Sequence, residues 1–193
     1  MNTYKNTFGK RAHLEFYPTP PEAVKALLSV EKFDGSIWEP ACGYGDVSKE
    51  CIKAGYKVIS TDLAQRNYGQ GGIDFLKTEK PLAKNIVTNP PYGKYGLGDA
   101  FIRKALIHTR KTGGSVAMLL NLRSLCNPNR HKKFIKTPPS AIYLLDELIC
   151  WPYGIKGSYK TRIAKQQYCW VVWNPNHSGS TKLGWLSPKE FNH

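Results

Sequence analysis

Asn89-Pro90-Pro91-Tyr92 ends the apolar run Asn85-Ile86-Val87-Thr88. Two successive prolines cannot continue a strand, and neither has an N–H to give. A polar amide, two donor-less residues and an aromatic ring make one of two things. They form a tight turn rich in turn-formers, or a substrate site built from hydrogen-bond acceptors and a stacking face. Acidic residues stand at comparable places upstream. Ser36-Ile37-Trp38 runs directly into Glu39-Pro40-Ala41-Cys42-Gly43-Tyr44-Gly45, in which Gly43 and Gly45 permit a tight turn and a close backbone approach to a ligand. Asp62 follows the apolar segment Lys57–Thr61, where a carboxylate either accepts both hydroxyls of a ribose or caps the next segment. Gly72-Ile73-Asp74-Phe75 adds a third acidic group among apolar neighbours, the combination an adenine ring requires.

The glycine turn lacks the third glycine and the spacing of a pyrophosphate-binding loop, and it lacks the terminal Lys-Ser/Thr of a P-loop. A dinucleotide or ATP fits it poorly. An adenosine carrying an amino-acid tail, S-adenosylmethionine, fits better, with its carboxylate near the N-terminus of the following helix.

Positioning these groups calls for alternating strands and helices. Thr19-Pro20-Pro21-Glu22 reads as a helix start, with Thr19 as the cap and Glu22 completing a capping box, and the apolar face continues to about Ser29. Residues 36–39 read as a strand, Asp46–Ala54 as a helix ending at Gly55, and 57–61 as a second strand. That βαβ unit implies a parallel sheet with a right-handed crossover. Residues 86–88 and 115–121 read as further strands around a helix over Gly98–Arg110, and the continuous apolar run Ser115–Asn121 suits a strand covered on both faces. Arg130–Lys136 is a short helix or a loop. Tyr143–Trp151 and Tyr168–Trp173 read as the last strands, and 174–193 as a polar surface tail. The expected architecture is an open α/β sheet with helices on both faces, its ligand crevice at the carboxyl ends of the strands.

The 193 residues suit one domain with a substantial core. No run approaches the roughly 18 apolar residues of a membrane span. The N-terminal MNTYKNTFGKRAH has no signal-peptide core, and five scattered cysteines form no CxxC pair. These features favour a cytoplasmic protein with reduced thiols and no metal site. Lys and Arg number 28 against 14 Asp and Glu, a net charge of +14, which favours a polyanionic partner, most simply nucleic acid. Cations and aromatic rings interleave between Arg123 and Arg162, including Arg130, Lys132, Lys133, Trp151, Tyr153, Lys156 and Lys160. A generically basic surface is the plain alternative.

The ordered series E-P-A-C-G-Y-G, T-D-L, G-I-D-F and N-P-P-Y resembles the amino-methyltransferases of exocyclic nitrogens, above all the N6-adenine DNA methyltransferases. The fold implied is the Rossmann-like class I methyltransferase fold, an open, mostly parallel seven-stranded sheet. Phe16-Tyr17-Pro18-Thr19-Pro20 resembles the segment that touches the cofactor in members with the cofactor motifs first, and 151–173 resembles the ends of small phage-encoded members. The likeness covers roughly residues 14–173. NPPY is its most specific element, since a chance match in a chain of this length is on the order of one in a thousand from average usage.

The resemblance implies S-adenosylmethionine as cofactor. Its binding residues would be Tyr17, Thr19, Glu39, Pro40, Ala41, Cys42, Gly43, Gly45, Asp62, Leu63, Asp74, Phe75 and Asn89, with Asp62 at the ribose and Asp74 at the adenine. Asn89, Pro90, Pro91 and Tyr92 would form the catalytic turn. Tyr92, Lys94, Arg123, Arg130, Lys132, Lys133, Trp151, Tyr153, Lys156, Lys160 and Arg162 would meet the substrate. Methylation of adenine N6 in DNA is the expected reaction, in the cytoplasm (that of the host for a phage-encoded chain). Alternatives are methylation of an RNA base, at adenine N6 or guanine N2, and of glutamine N5 in a protein. Only 122–141 and 152–166 are sizeable basic inserts, and a separate target-recognition domain is not expected. A dimer or a specificity partner therefore stays open as the source of target choice.

Overall fold

The structure is a computed structural model and describes residues 17–92, 96–126, 128–146, 148 and 167–191. Seven strands form one sheet: β1 (Ile37–Glu39), β2 (Val58–Ser60), β3 (Asn85–Thr88), β4 (Val116–Asn121), β5 (Ala141–Leu145), β6 (Tyr168–Trp173) and β7 (Lys182–Leu186). Their order is β2-β1-β3-β4-β6-β5-β7. Neighbours run parallel except β6, which is antiparallel to both β4 and β5. This is the expected open, mostly parallel sheet.

Among the described residues, four α-helices flank it: α1 (Pro21–Val30), α2 (Asp46–Lys53), α3 (Leu97–Thr112) and α4 (Pro128–Lys136). Alternate residues of each central strand face opposite helix layers. Ala117, Leu119, Trp170 and Val172 meet the buried side chains of α1 and α2 on one face. On the other, Val116, Met118, Leu120, Cys169 and Val171 meet Phe101, Ile102 and Ala105 of α3. Both covered faces explain why β4 reads as an unbroken apolar run, and β6 is buried on both faces beside it. The Trp170 indole N–H donates to Ala23 O at 2.8 Å, locking α1 onto the sheet.

Two expectations need correction. Thr19 does not cap α1: the cap position is Pro20, without a side-chain bond. Paired prolines preset the first turn and present no N–H there to satisfy, so a capping hydroxyl gains little. The tail also holds more order than its polar composition suggested, because Lys182–Leu186 forms β7 beside β5. Gly184 makes this approach possible, since a Cβ there would lie 2.9 Å from the Tyr143 ring. Leu186 joins the core layer of α1, and Lys25 Nζ donates to Phe191 O at 3.2 Å.

Candidate active site

The carboxyl ends of β1, β2 and β3 open on one cavity of about 300 Å³. The turn after β1 is shaped by Gly43 and Gly45, both left-handed at φ 56° and 81°. Gly43 N–H donates to Asp62 Oδ2 at 2.8 Å, and Ala64 N–H donates to Asp62 Oδ1 at 2.8 Å. Asp62 thus ties the two strand ends together and caps its own loop. A carboxylate has about four acceptor directions, so capacity for a ligand remains. Past β2 the chain bridges back, with Asp62 N–H donating to Gln70 O and Ile73 N–H to Asp62 O, both at 3.0 Å. This return carries Asp74 and Phe75 to the same rim. Leu76 N–H donates to Asp74 Oδ1 at 3.0 Å, capping the short helical turn Phe75–Lys77.

Glu39 ends β1 inside the protein, 2% exposed. Ser48 N–H donates to its Oε2 at 2.8 Å and the Ser48 hydroxyl binds the same oxygen, so Glu39 also holds the first turn of α2. Burial still pushes this carboxyl well above its ordinary value, outweighing both Ser48 bonds. Burial likewise pushes the Cys42 thiol to about 12, which leaves it an unreactive wall of the cavity.

Asn89 stands at the end of β3. Its Nδ2 donates to Tyr17 O at 3.2 Å and to Thr19 Oγ1 at 3.0 Å, and its Oδ1 accepts from the Tyr92 hydroxyl at 2.6 Å. That hydroxyl also lies 2.9 Å from Leu119 O. Tyr92 is half-buried against both core layers, 6.3 Å from the ring of Tyr168. Its position is therefore set by the hydroxyl, beneath the Asn89 amide.

Of the expected cofactor residues, Tyr17, Thr19, Glu39, Pro40, Ala41, Cys42, Asp62, Leu63, Asp74, Phe75 and Asn89 line the cavity, with Pro90 and Pro91 beside them. Gly43 and Gly45 do not line it; they form the turn beneath. Sequence reasoning missed Asp46, Arg66, Leu76, Leu97 and Phe101, which also line it. Leu97 and Phe101 belong to the apolar stripe of α3, whose period marks core and wall alike. Arg66 follows Asp62 by one helical spacing in a loop, where spacing alone says nothing of direction; its Nε lies 3.9 Å from Asp62 Oδ1.

Of the expected substrate cations, Arg123 and Lys132 are exposed. Arg130 is a correction: it is buried, donating from Nε (3.0 Å) and Nη2 (2.6 Å) to Asp99 Oδ1 and from Nη1 to Ser124 Oγ (3.0 Å). Lys133 donates to Asp99 Oδ2 at 2.8 Å but stays half-exposed. These two cations fasten α4 to α3 because Asp99 is the acidic group within reach. Lys94, Trp151, Tyr153, Lys156, Lys160 and Arg162 lie outside the described residues, as does the 152–166 insert.

The cavity's charge runs against that of the molecule. Among the described residues, the carboxylates of Asp46, Asp62 and Asp74 line it, with Glu39 held toward its neutral form, against the guanidinium of Arg66, in a chain of net charge +14. An acidic, partly apolar cavity suits a cationic ligand with sugar hydroxyls and disfavours a polyphosphate.

No protein-family model matches the sequence, and no curated protein does. Solved structures do match in fold. A modification subunit of a type I restriction enzyme from Vibrio vulnificus aligns over 92% of this chain at 16% identity and a TM-score of 0.57. A class I S-adenosylmethionine-dependent methyltransferase from Listeria monocytogenes aligns over 88% at 16% identity and a TM-score of 0.58. The M protein of the type I restriction enzyme EcoKI aligns over 88% at 14% identity and a TM-score of 0.57. The chain spans 46%, 65% and 48% of those three chains, less than two thirds of each. The fold is the Rossmann-like fold of class I methyltransferases. Among the described residues, no helix is long and apolar enough to cross a membrane.

Proposed function

We propose that this chain is an S-adenosylmethionine-dependent methyltransferase acting on the exocyclic N6 of adenine in DNA. The observation that carries the reading is the acidic cavity ending at the Asn89 amide and the Pro90-Pro91 turn. The residues present fit the cofactor. Asp62 keeps acceptor capacity for a ribose, Asp74 and Phe75 offer an acceptor beside an apolar face for adenine, and the acidic lining suits a cationic amino-acid tail. When bound, S-adenosylmethionine supplies an electrophilic methyl group on a sulfonium leaving group.

The remaining chemistry falls to the chain. The lone pair of an aromatic amine is delocalised into its ring and must localise as the nitrogen becomes tetrahedral. Asn89 Oδ1 and the Pro90 carbonyl accept the amine's N–H groups, an effect stronger in the transition state than in the ground state. Pro90 and Pro91 add no competing donor. Tyr92 offers a ring for the planar base. Neither a strong base nor a metal is needed at the nitrogen. A duplex base must leave the stack to reach such a turn, so base flipping or a single-stranded substrate is required. The basic surface favours nucleic acid, and similarity in fold to the restriction-modification proteins favours DNA.

The test supplies labelled S-adenosylmethionine with duplex DNA, single-stranded DNA, RNA or a release factor, and identifies the product by mass spectrometry. N6-methyladenine in DNA is expected. Label appearing only in RNA or in protein glutamine would overturn the assignment of substrate. Asn89→Ala is expected to lower transfer by about 10²–10³ with cofactor affinity nearly unchanged. A collapse of cofactor binding would show that Asn89 serves the cofactor instead.

A further inference from the structure

Thr19 is 5% exposed, and its hydroxyl takes no part in starting α1. What it meets is the amide of Asn89, seventy residues away in sequence. Three groups surround that amide, and one of them decides its orientation. The Tyr17 backbone carbonyl is an acceptor only, so the amide atom 3.2 Å from it must be nitrogen. The Thr19 hydroxyl accepts the other N–H at 3.0 Å, which consumes both hydrogens of the NH2 group. The Tyr92 hydroxyl lies 2.6 Å from Oδ1 and 2.9 Å from the Leu119 carbonyl, and its single proton is shared between these two acceptors. A half-turn of the amide would set its oxygen against the Tyr17 carbonyl, two acceptors with no proton between them, so that carbonyl fixes the orientation. Pro18 and Pro20 flank Thr19 and fix φ on either side of it, so the carbonyl of 17 and the hydroxyl of 19 are held facing the same point.

We infer that Thr19 is a positioning residue for Asn89: with the Tyr17 carbonyl it ties up both amide hydrogens and leaves Oδ1 as the atom that accepts from the substrate amine. This rests on the methyl-transfer reading of the Asn89 turn and gives the Tyr17–Thr19 segment a task beyond lining the cofactor cavity. A methyl acceptor with an N–H to donate requires an acceptor opposite it. An amide free to rotate would present its NH2 part of the time and repel the amine. Thr19 works through Asn89, so its loss slows the methyl-transfer step by more than it weakens cofactor binding in the cavity it lines.

The test compares Thr19→Val, which keeps the shape and removes the hydroxyl, with Thr19→Ser, which keeps the hydroxyl; Thr19→Ala replaces the valine variant if that one does not fold. Three readouts are taken on each: kcat and KM for the nucleic acid, calorimetric affinity for S-adenosylhomocysteine, and the ¹⁵N-resolved side-chain NH2 signals of Asn89, assigned by their loss in Asn89→Asp. Thr19→Val is expected to lower kcat about tenfold or more, a loss of about 1.4 kcal/mol of transition-state stabilisation. KM for the nucleic acid stays near wild type, any fall in S-adenosylhomocysteine affinity is much smaller than the fall in kcat, and the Asn89 NH2 protons shift and exchange faster with water. Thr19→Ser restores kcat and the signals. Unchanged NH2 signals with unchanged kcat would overturn the inference, and so would a fall in S-adenosylhomocysteine affinity that accounts for the loss of rate. If the wild-type protein methylates none of the substrates offered, the proposed function fails. The NH2 signals then still decide whether Thr19 orients Asn89.

Discussion

A single side chain can hold two parts of a site together and set its response to pH. Glu39 joins the end of β1 to the start of α2 and lines the cavity. Burial raises its carboxyl well above the ordinary 4.5. The folded protein then keeps a proton that the unfolded chain releases, so Glu39's contribution is full below about 4.5 and is lost as pH rises toward the raised value. Urea unfolding measured at rising pH above about 5 should show wild-type stability falling as this group is driven to ionise. Glu39→Gln, neutral throughout, should flatten that decline. An unchanged slope in the variant would mean that Glu39 is ionised in the fold. At this scale the sequence was legible for type and place: Glu39 ends β1, Asp62 and Asn89 follow β2 and β3 closely, Asp74 lies in the loop beyond β2, and all reach the cavity. The direction of each polar atom was not legible, because it depends on partners far away in the chain, as Asn89 depends on Tyr17 and Thr19.

Between elements, the α3–α4 contact shows how a local cluster of cations is read too simply. Burial raises the Asp99 carboxyl, but the Lys133 bond and the Arg130 charge outweigh it, and the net shift is downward. That contribution is present above the ordinary carboxylate value and disappears as acid protonates Asp99 through its lowered value. Arg130→Met should cost about 2–3 kcal/mol in urea unfolding, less than the roughly 3–5 for breaking a fully buried pair because Lys133 still holds Asp99. It should leave the salt dependence of nucleic-acid binding nearly unchanged. A weaker salt dependence with full stability would return Arg130 to the nucleic-acid surface. Charge runs in a sequence give sign and density. Which charges are consumed internally follows from which acidic side chain the fold brings within 3 Å.

Across the whole molecule, the last strand completes the sheet and its connections. β7 covers the edge of β5, Leu186 enters the core, and residues 188–191 lie against α1, where Lys25 meets Phe191 O. Ending the chain after Asn176 should uncover the β5 edge and the Tyr143 ring. The melting temperature should fall by on the order of 5–15 °C, at about 2–4 °C for each kcal/mol lost, with increased aggregation from the exposed edge. A full-length melting temperature in the truncated protein would show that β7 adds no stability.

The sequence by itself determined the alternation of strands and helices, the two-faced burial of β4, and the series of acidic and amide residues at or near strand ends. Those features repeat at the periods of the backbone, so a local reading recovers them. Only the tertiary structure decided that β7 belongs to the sheet, that Arg130 belongs to Asp99, and that Thr19 belongs to Asn89. Each is a pairing between residues distant in the chain, made by distance and donor–acceptor geometry, and neither leaves a period in the sequence.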